Sequence, residues 1–393
     1  MVKDQLESKL TEYYEEMVEI RRYLHQHPEL SFEEVETPLY IAEYHKKLGH
    51  EVREKVGERG VVAKLHGGKP GPTIALRADF DALPMQDEKD VPYKSTVPGK
   101  MHACGHDGHT ATLLVLAKVL NELKDELTGT IVFIHQHAEE VAPGGAQAMI
   151  ADGCLDGVEA IYGTHLWATT PLGSIEYTEG ALMAAADKFQ IDIQGQGGHG
   201  AQPHYTKDAI LIGSQIVQSI QHIVSRSIDP MEAGVVSVGA FEAVNAYNII
   251  ADTAKITGTA RSFSEEVRQT MEDRLGQIVS NVAASYGAEA TCTYTRGYSA
   301  LINHAKEAQL IAELAKSIDD TKQVTLSKPQ MGGEDFAYYL ENVRGAFFFT
   351  GAMDPEADFA YPHHHPRFDF DERAMLHASK VLGNVVLKEV GVL

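Results

Sequence analysis

Cysteine is scarce in this chain. Three in 393 residues, Cys104, Cys154 and Cys292, are too few and odd in number for a disulfide framework, and they suit a reducing cytoplasm. Positive charge is also short, with 34 Lys and Arg against 56 Asp and Glu and a net charge of -22. Nucleic acid and anionic membranes both need a basic footprint, so this balance argues against either as a partner. No apolar run approaches the ~20 residues of a membrane span. The opening Met-Val-Lys-Asp-Gln-Leu-Glu lacks the apolar centre of a signal peptide. A cytoplasmic location is expected. Two catalytic signatures are missing as well: there is neither an H-E-x-x-H helix nor a G-x-S-x-G elbow. What the chain has in quantity is histidine, 19 of them, several in clusters.

The length suits two domains, and 44% hydrophobic residues can fill their cores. Leu6, Leu10, Met17, Ile20 and Leu24 recur with helical period, and a second helix is expected over 32–48. Short β-type runs follow at 60–65, 73–77, 129–135 and 160–165, with helical patterns at 110–123 and 145–151 between the later ones. Strands alternating with helices predict an α/β sheet with parallel elements, whose ligands gather where loops leave the carboxyl ends of the strands. Asp79, His106, Glu139, Glu140 and His165 all fall at or just beyond such ends.

From about residue 184 to 296 the order becomes strand (188–193), helix (208–226, with an Ile212, Ile216, Ile220, Ile223 stripe), strands (235–241 and 253–261), helix (265–285) and strand (289–295). That is the split βαβ plan, read as an insertion into the α/β frame. The chain from 297 to 393 resumes α/β character.

The densest chemistry lies in Met101-His-Ala-Cys-Gly-His-Asp-Gly-His109. Thiolate and imidazole suit a borderline transition metal, and Gly105 and Gly108 let the backbone bend so that Cys104 and His106 face one point. Taken alone, a buried Cys beside a His is more often structural. Glu139-Glu140 ends the apolar run Ile131–Ile134, where two desolvated like charges would repel unless cations offset them. His165 sits at another strand end, and His363-His364-His365, bracketed by prolines, is hard to explain as packing. Two decoys are set aside. Gly195-x-Gly197-x-x-Gly200 matches a dinucleotide fingerprint, but Pro203 interrupts its helix and no acidic residue follows at the required distance. His25-x-His27 lies at a helix end; His135-x-His137 follows a strand and is the stronger rival, that of a metal-dependent barrel hydrolase, against which the 184–296 insertion argues.

With these residues assembled, the chain resembles the amidohydrolase branch of the M20 metallopeptidase family: hippurate hydrolases, N-acyl-amino-acid deacylases and auxin-conjugate hydrolases. The likeness covers nearly the whole chain. It rests on Arg22-x-x-His25-x-x-Pro28-Glu29-Leu30, Leu76-Arg77-Ala78-Asp79-x-Asp81-Ala82-Leu83-Pro84, His102-Ala-Cys104-Gly-His106-Asp-Gly-His109 and Ala138-Glu139-Glu140. Downstream it adds Gly198-His199-Gly200-Ala201-x-Pro203, Asn248-Ile-Ile-Ala-Asp252, Gly333-Glu-Asp-Phe336 and His364-His365-Pro366-x-Phe368.

The resemblance implies an α/β fold, with a mixed-sheet, di-metal catalytic domain of zinc-exopeptidase type (1–183 and 297–393, discontinuous). An inserted α+β ferredoxin-like lid and dimerisation domain (184–296) completes it. It implies metal ligands at Cys104, His106, Glu140, His165 and His364, with Cys104 bridging two divalent ions (zinc, manganese, cobalt or nickel). His364 is taken over His365 by its distance from Pro366. Glu139 takes the general-base place, and His199 stabilises the oxyanion, reaching the site from the partner subunit in dimeric relatives. Asn248 and Arg261 match positions that hold a substrate carboxylate, and Gly332 and Gly333 line the pocket with backbone groups. The implied reaction is hydrolysis of the amide of N-acyl-amino acids, in a homodimer or higher homo-oligomer. Two alternatives remain: a metallo-aminopeptidase or dipeptidase acting on short peptides, and a non-catalytic metal-binding scaffold. One departure is His135-Gln136-His137, where the branch usually has Gln-Pro before Ala-Glu-Glu; the extra imidazoles are expected to bear on metal preference or pocket shape.

Overall fold

The computed structural model describes residues 1–356 and 360–393. Its contacts divide the chain into two compact units, one of residues 1–182, 302–328 and 335–393, the other of 183–301 and 329–334.

The first unit is built on an eight-stranded mixed sheet. Its strand order is Glu51–Val56, Gly60–His66, Thr128–Gln136, Lys69–Asp79, Ala160–Pro171, Arg344–Met353, Ser174–Tyr177 and Gln323–Leu326. The four central strands are mutually parallel. Strands covered on both faces are expected to be apolar throughout rather than alternating, and Ile74–Asp79 and Ile131–Gln136 are buried at every position. Parallel strands run the same way, so Asp79 and Glu139 leave theirs on one edge; His165, expected at a strand end, instead lies midway along Ala160–Pro171, two residues beyond its last pairing with the Asp79 strand. Antiparallel strands close both flanks.

Helix His106–Glu122 is buried along most of its length and is packed by helices Tyr14–Gln26 and Arg373–Glu389. It starts four residues before the apolar period does. Gly105, at φ +92°, is the left-handed residue that turns the chain into it, a conformation that costs glycine nothing. Gly108 is small for packing: a Cβ there would lie 2.6 Å from Phe370 and 2.7 Å from Leu166. The opening helical pattern is interrupted at Tyr13, giving helices Val2–Glu12 and Tyr14–Gln26. The barrel alternative is excluded by this open sheet.

The second unit carries an antiparallel sheet ordered Gly234–Glu242, Thr253–Ser262, Ala185–Gln194 and Glu289–Tyr298. Helices Ala209–Arg226 and Glu265–Ser285 pack on one of its faces. Counted along the chain the strand order is 4-1-3-2, the split βαβ arrangement. Ile212, Ile216, Ile220 and Ile223 are fully buried against a core that includes Phe189, Ile191, Ile193 and Ile256. Asp208 caps the first helix through the N–H groups of Ile210 and Leu211, and Ser264 caps the second through Val267. Asp187 binds the returning chain, accepting from Arg268 Nε (2.9 Å) and its terminal nitrogen (2.6 Å), Tyr294 Oη (2.7 Å) and Gly297 N (2.9 Å). Residues 329–334, assigned by sequence to the α/β frame, group with this unit because Ala184 N donates to the carbonyls of Gln330 and Gly332.

Candidate active site

Cys104, His106, Glu139, Glu140, His165 and His364 converge at the carboxyl edge of the parallel strands. Cys104, His106 and His165 each offer a ligand atom within 4.8 Å of the others, and so do Cys104, Glu140 and His364. The sulfur belongs to both triads. A third triad joins His106 to Glu139 and Glu140.

The ring orientations follow from what each back nitrogen binds. His165 Nδ1 donates to the Leu166 carbonyl (2.9 Å), which leaves the Nε2 lone pair 3.3 Å from Cys104 Sγ. His106 Nδ1 faces Asp81 Oδ1 at 3.2 Å. Its Nε2 points to Asp79 Oδ2 (3.8 Å), Glu140 Oε1 (3.8 Å) and Glu139 Oε2 (3.9 Å). Each of these separations is too long for a hydrogen bond. Among the described residues, His106 Nε2 and Glu140 Oε1 are buried with no hydrogen-bond partner. His364 sits at φ +61°, its N–H bound to the Ala103 carbonyl (2.8 Å), and its Nε2 reaches Glu140 Oε2 at 3.3 Å. Of the neighbouring imidazoles, His363 turns to the Leu166 carbonyl (3.0 Å), and His365 stacks on Tyr361.

The electrostatics ask for a cation. Burial, then the Glu140 and Glu139 carboxylates, push the Cys104 thiol well above its ordinary pKa. Burial opposes protonation of His106, but Asp79, Asp81 and Glu140 outweigh it and raise its pKa to about 10. In the protein alone a proton would thus occupy the place a metal suits. Burial, reinforced by His109 and His363, keeps His165 well below the usual histidine range, so it is a neutral imidazole of the kind that ligates metals. A soft sulfur shared between two triads, a neutral His165 with one nitrogen already engaged, and orphaned buried polar atoms fit a pair of divalent ions.

Around these groups lies a supporting shell of which the sequence had singled out Asp79 alone. His109 Nδ1 donates to Asp79 Oδ1 (2.6 Å) while its Nε2 accepts from Leu166 N (3.0 Å), tying the Asp79 and His165 strands together. Arg77 holds Asp79 from behind (2.6 Å). Asp81 accepts from Glu140 N (2.9 Å) as well as facing His106. Asp79 and Asp81 stand two apart at a strand end, and that spacing was the available signal. His25 lies in a buried network, with Nδ1 2.7 Å from Asp107, which Arg21 also binds at 2.9 Å. His135 turns to His45 (2.9 Å), and His137 stacks edge-on with Phe32. Neither His135 nor His137 belongs to a ligand group among the described residues.

The other candidate residues lie in the second unit. His199 is exposed on a two-residue strand paired with Ile249, and Gly200 N donates to the Asn248 carbonyl (2.8 Å). Arg261 donates from Nε to the Met331 carbonyl (3.1 Å) and from a terminal nitrogen to Thr259 and to the Ala260 carbonyl. Burial lowers its pKa. Gly333 approaches the strand partner of Arg261, Ala186, so closely that a Cβ would lie 2.9 Å from the Ala186 Cβ.

Residues 75–388 match the model of peptidase family M20/M25/M40. The chain is 44% identical over 304 residues to an N-acyl-L-amino acid amidohydrolase of Geobacillus stearothermophilus, covering 77% of this chain and 82% of that one. It is 40% identical over 367 residues to an N-acetyl-L-cysteine deacetylase of Bacillus subtilis, covering 93% and 86%. The crystal structure of the Bacillus subtilis YXEP protein, described as a dinuclear metal binding peptidase from the M20 family, superposes with a TM-score of 0.84 at 35% identity, covering 98% of this chain and 100% of that one. The chain therefore belongs to the M20 peptidase family, in its amidohydrolase branch, and is a hydrolase. No helix among the described residues is long and apolar enough to cross a membrane.

Proposed function

We propose that this enzyme uses two divalent metal ions to hydrolyse the amide bond of N-acyl-amino acids. The observation that carries the reading is the pair of ligand triads sharing the Cys104 sulfur, with Glu139 beside them. Cys104, His106 and His165 would hold one ion and Cys104, Glu140 and His364 the other. Two cations held there would supply Lewis acidity, polarising an amide oxygen and acidifying a water.

The chain's own groups do the rest. Glu139 takes the proton of the attacking water and returns it to the departing amine nitrogen, so one carboxylate serves as base and then acid. His199, from a neighbouring copy, offers its ring N–H to the tetrahedral oxygen, a preorganised contribution of ~3–4 kcal/mol. Arg261 pairs with the free carboxylate of the amino-acid half, for which a planar guanidinium is better shaped than an ammonium, and Asn248 adds a hydrogen bond. Gly332 and Gly333 are assigned, by the family resemblance, backbone contacts to the same half of the substrate. The sulfur ligand favours zinc, cobalt or nickel over harder ions, while family likeness keeps manganese in the set. We place the enzyme in the cytoplasm as a homodimer or larger assembly through the second unit, in keeping with its free cysteines.

The test is a screen of N-acetyl- and N-benzoyl-amino acids beside dipeptides on metal-replete enzyme, with elemental analysis. Two ions per chain and a higher kcat/KM on acylated amino acids are expected. Preference for dipeptides would make it a peptidase, and two bound ions with every amide left intact would make it a scaffold.

A further inference from the structure

The segment 29–37 is tied to the Glu139 loop more densely than packing alone requires. The Glu29 carboxylate accepts from the N–H groups of Val35 (3.0 Å), Glu36 (3.0 Å) and Thr37 (2.8 Å), closing the start of helix Glu36–Lys47. Its carbonyl accepts from Ala82 N (2.8 Å), which fastens the segment to the chain leaving Asp79 and Asp81. Ser31 Oγ donates to Asp81 Oδ2 (2.6 Å), the oxygen that accepts from Glu140 N. On the other side of Glu139, Glu34 Oε1 accepts from Ala138 N at 2.9 Å. The N–H groups of the two residues on either side of Glu139 thus bind two acidic side chains, one belonging to this segment and one braced by it.

Ala138 is fully buried and stands at φ +53°, where an L residue with a Cβ is seldom found. Its buried N–H needs a partner, and the Glu34 oxygen supplies one. Glu34 is only 1% exposed, and Arg59 secures it by donating to its carbonyl (2.7 Å). Its second oxygen, Oε2, has no hydrogen-bond partner among the described residues, and Arg59 Nε lies 3.9 Å away. A buried carboxyl with half its capacity unused is an expensive way to stabilise a loop. An apolar residue would serve if filling space were the purpose.

We propose that Glu34 is a positioning residue: by accepting the Ala138 N–H it holds the left-handed turn that aims Glu139 at the reacting centre. The inference rests on reading Glu139 as the base. Glu34 itself touches neither substrate nor a metal ligand.

Glu34→Ala is expected to lower kcat about a hundredfold, the scale of a small misplacement of a catalytic group, with KM and bound metal little changed. Glu34→Gln, whose amide oxygen can still accept from Ala138, should recover most of that loss. Adding Ala138→Gly to Glu34→Ala should restore about tenfold, because glycine enters the left-handed region without the penalty. In the metal-free protein, hydrogen exchange of the peptide containing Ala138 should be slow in the wild type and faster in Glu34→Ala. The proposal is overturned by unchanged kcat in Glu34→Ala, by a Glu34→Gln variant as poor as Glu34→Ala, by absence of glycine rescue, or by an open-loop exchange rate at Ala138 in the wild type. Glu139→Ala, run alongside, separates the two readings. Turnover retained there removes the base assignment, whereas an inactive Glu139→Ala beside an unimpaired Glu34→Ala removes the positioning role alone.

Discussion

Acidification is expected to destabilise this protein through a buried chain of three imidazoles. His50 Nδ1 lies 2.9 Å from His45 Nδ1, and His45 Nε2 lies 2.9 Å from His135 Nε2; the His45 and His50 rings stack on Phe133. Each N···N contact needs one donor and one acceptor, which neutral imidazoles supply and doubly protonated ones cannot. Burial therefore lowers all three: His45 well below 6.5, His50 to about 4 and His135 to about 3. Because these folded values lie below the unfolded one, the unfolded chain takes up protons first as pH falls. The stability is full above pH 6.5 and drains away from there towards the folded values. At pH 5 each unfolded histidine has gained nearly a full proton that His50 and His135 still refuse. That is roughly 1.5 pH units or ~2 kcal/mol apiece, ~4 kcal/mol for the two, a large part of an ordinary folding free energy. His45 adds in the same direction. The assay is urea unfolding at pH 7.5 and pH 5.0 for the wild type and His50→Leu. The variant should lose ~2 kcal/mol less on acidification, since one titrating group has gone. Equal losses in both proteins would refute the reasoning.

Three more outcomes follow from the site and the second unit. Glu139→Ala should keep its metal by elemental analysis and lose about a hundred- to ten-thousandfold in turnover; loss of metal instead would mean that Glu139 and Glu140 exchange roles. Arg261→Ala should raise KM for acyl-amino acids with a free carboxylate far more than for their amides, and equal effects on both would remove the carboxylate clamp. Asp187→Ala strands the buried Arg268 guanidinium and should cost ~3–5 kcal/mol, read as a lowered thermal midpoint. A shift of less than ~1 kcal/mol would show that water replaces the carboxylate at little expense.

Much of the frame is legible in the residues. The β-type runs at 73–77 and 131–134 mark two strands covered on both faces, and both belong to the set of four parallel central strands. The isoleucine stripe of 212–223 marks a helix lying on a sheet. Boundaries were less legible. Helix His106–Glu122 begins inside the histidine motif because a left-handed glycine, not an apolar residue, sets its start. Residues 329–334 join the second unit through backbone hydrogen bonds to Ala184, which leave no mark in composition.

The sequence alone determined the chemistry available: a thiol, imidazoles and carboxylates placed at strand ends, a parallel sheet that carries those ends to one edge, and a separate split βαβ unit. Periodicity and glycine positions suffice for that, because they reflect burial and backbone freedom residue by residue. Tertiary structure brought His364, the histidine chosen by its distance from Pro366, to Glu140, and it alone decided which of the clustered imidazoles pair with one another in the core and that Asp81, His109 and Glu34 hydrogen-bond to the chain around Asp79 and Glu139. Those choices depend on partners far apart in the chain. Which buried polar groups find a partner, and which at the site are left without one, is a property of the packed whole.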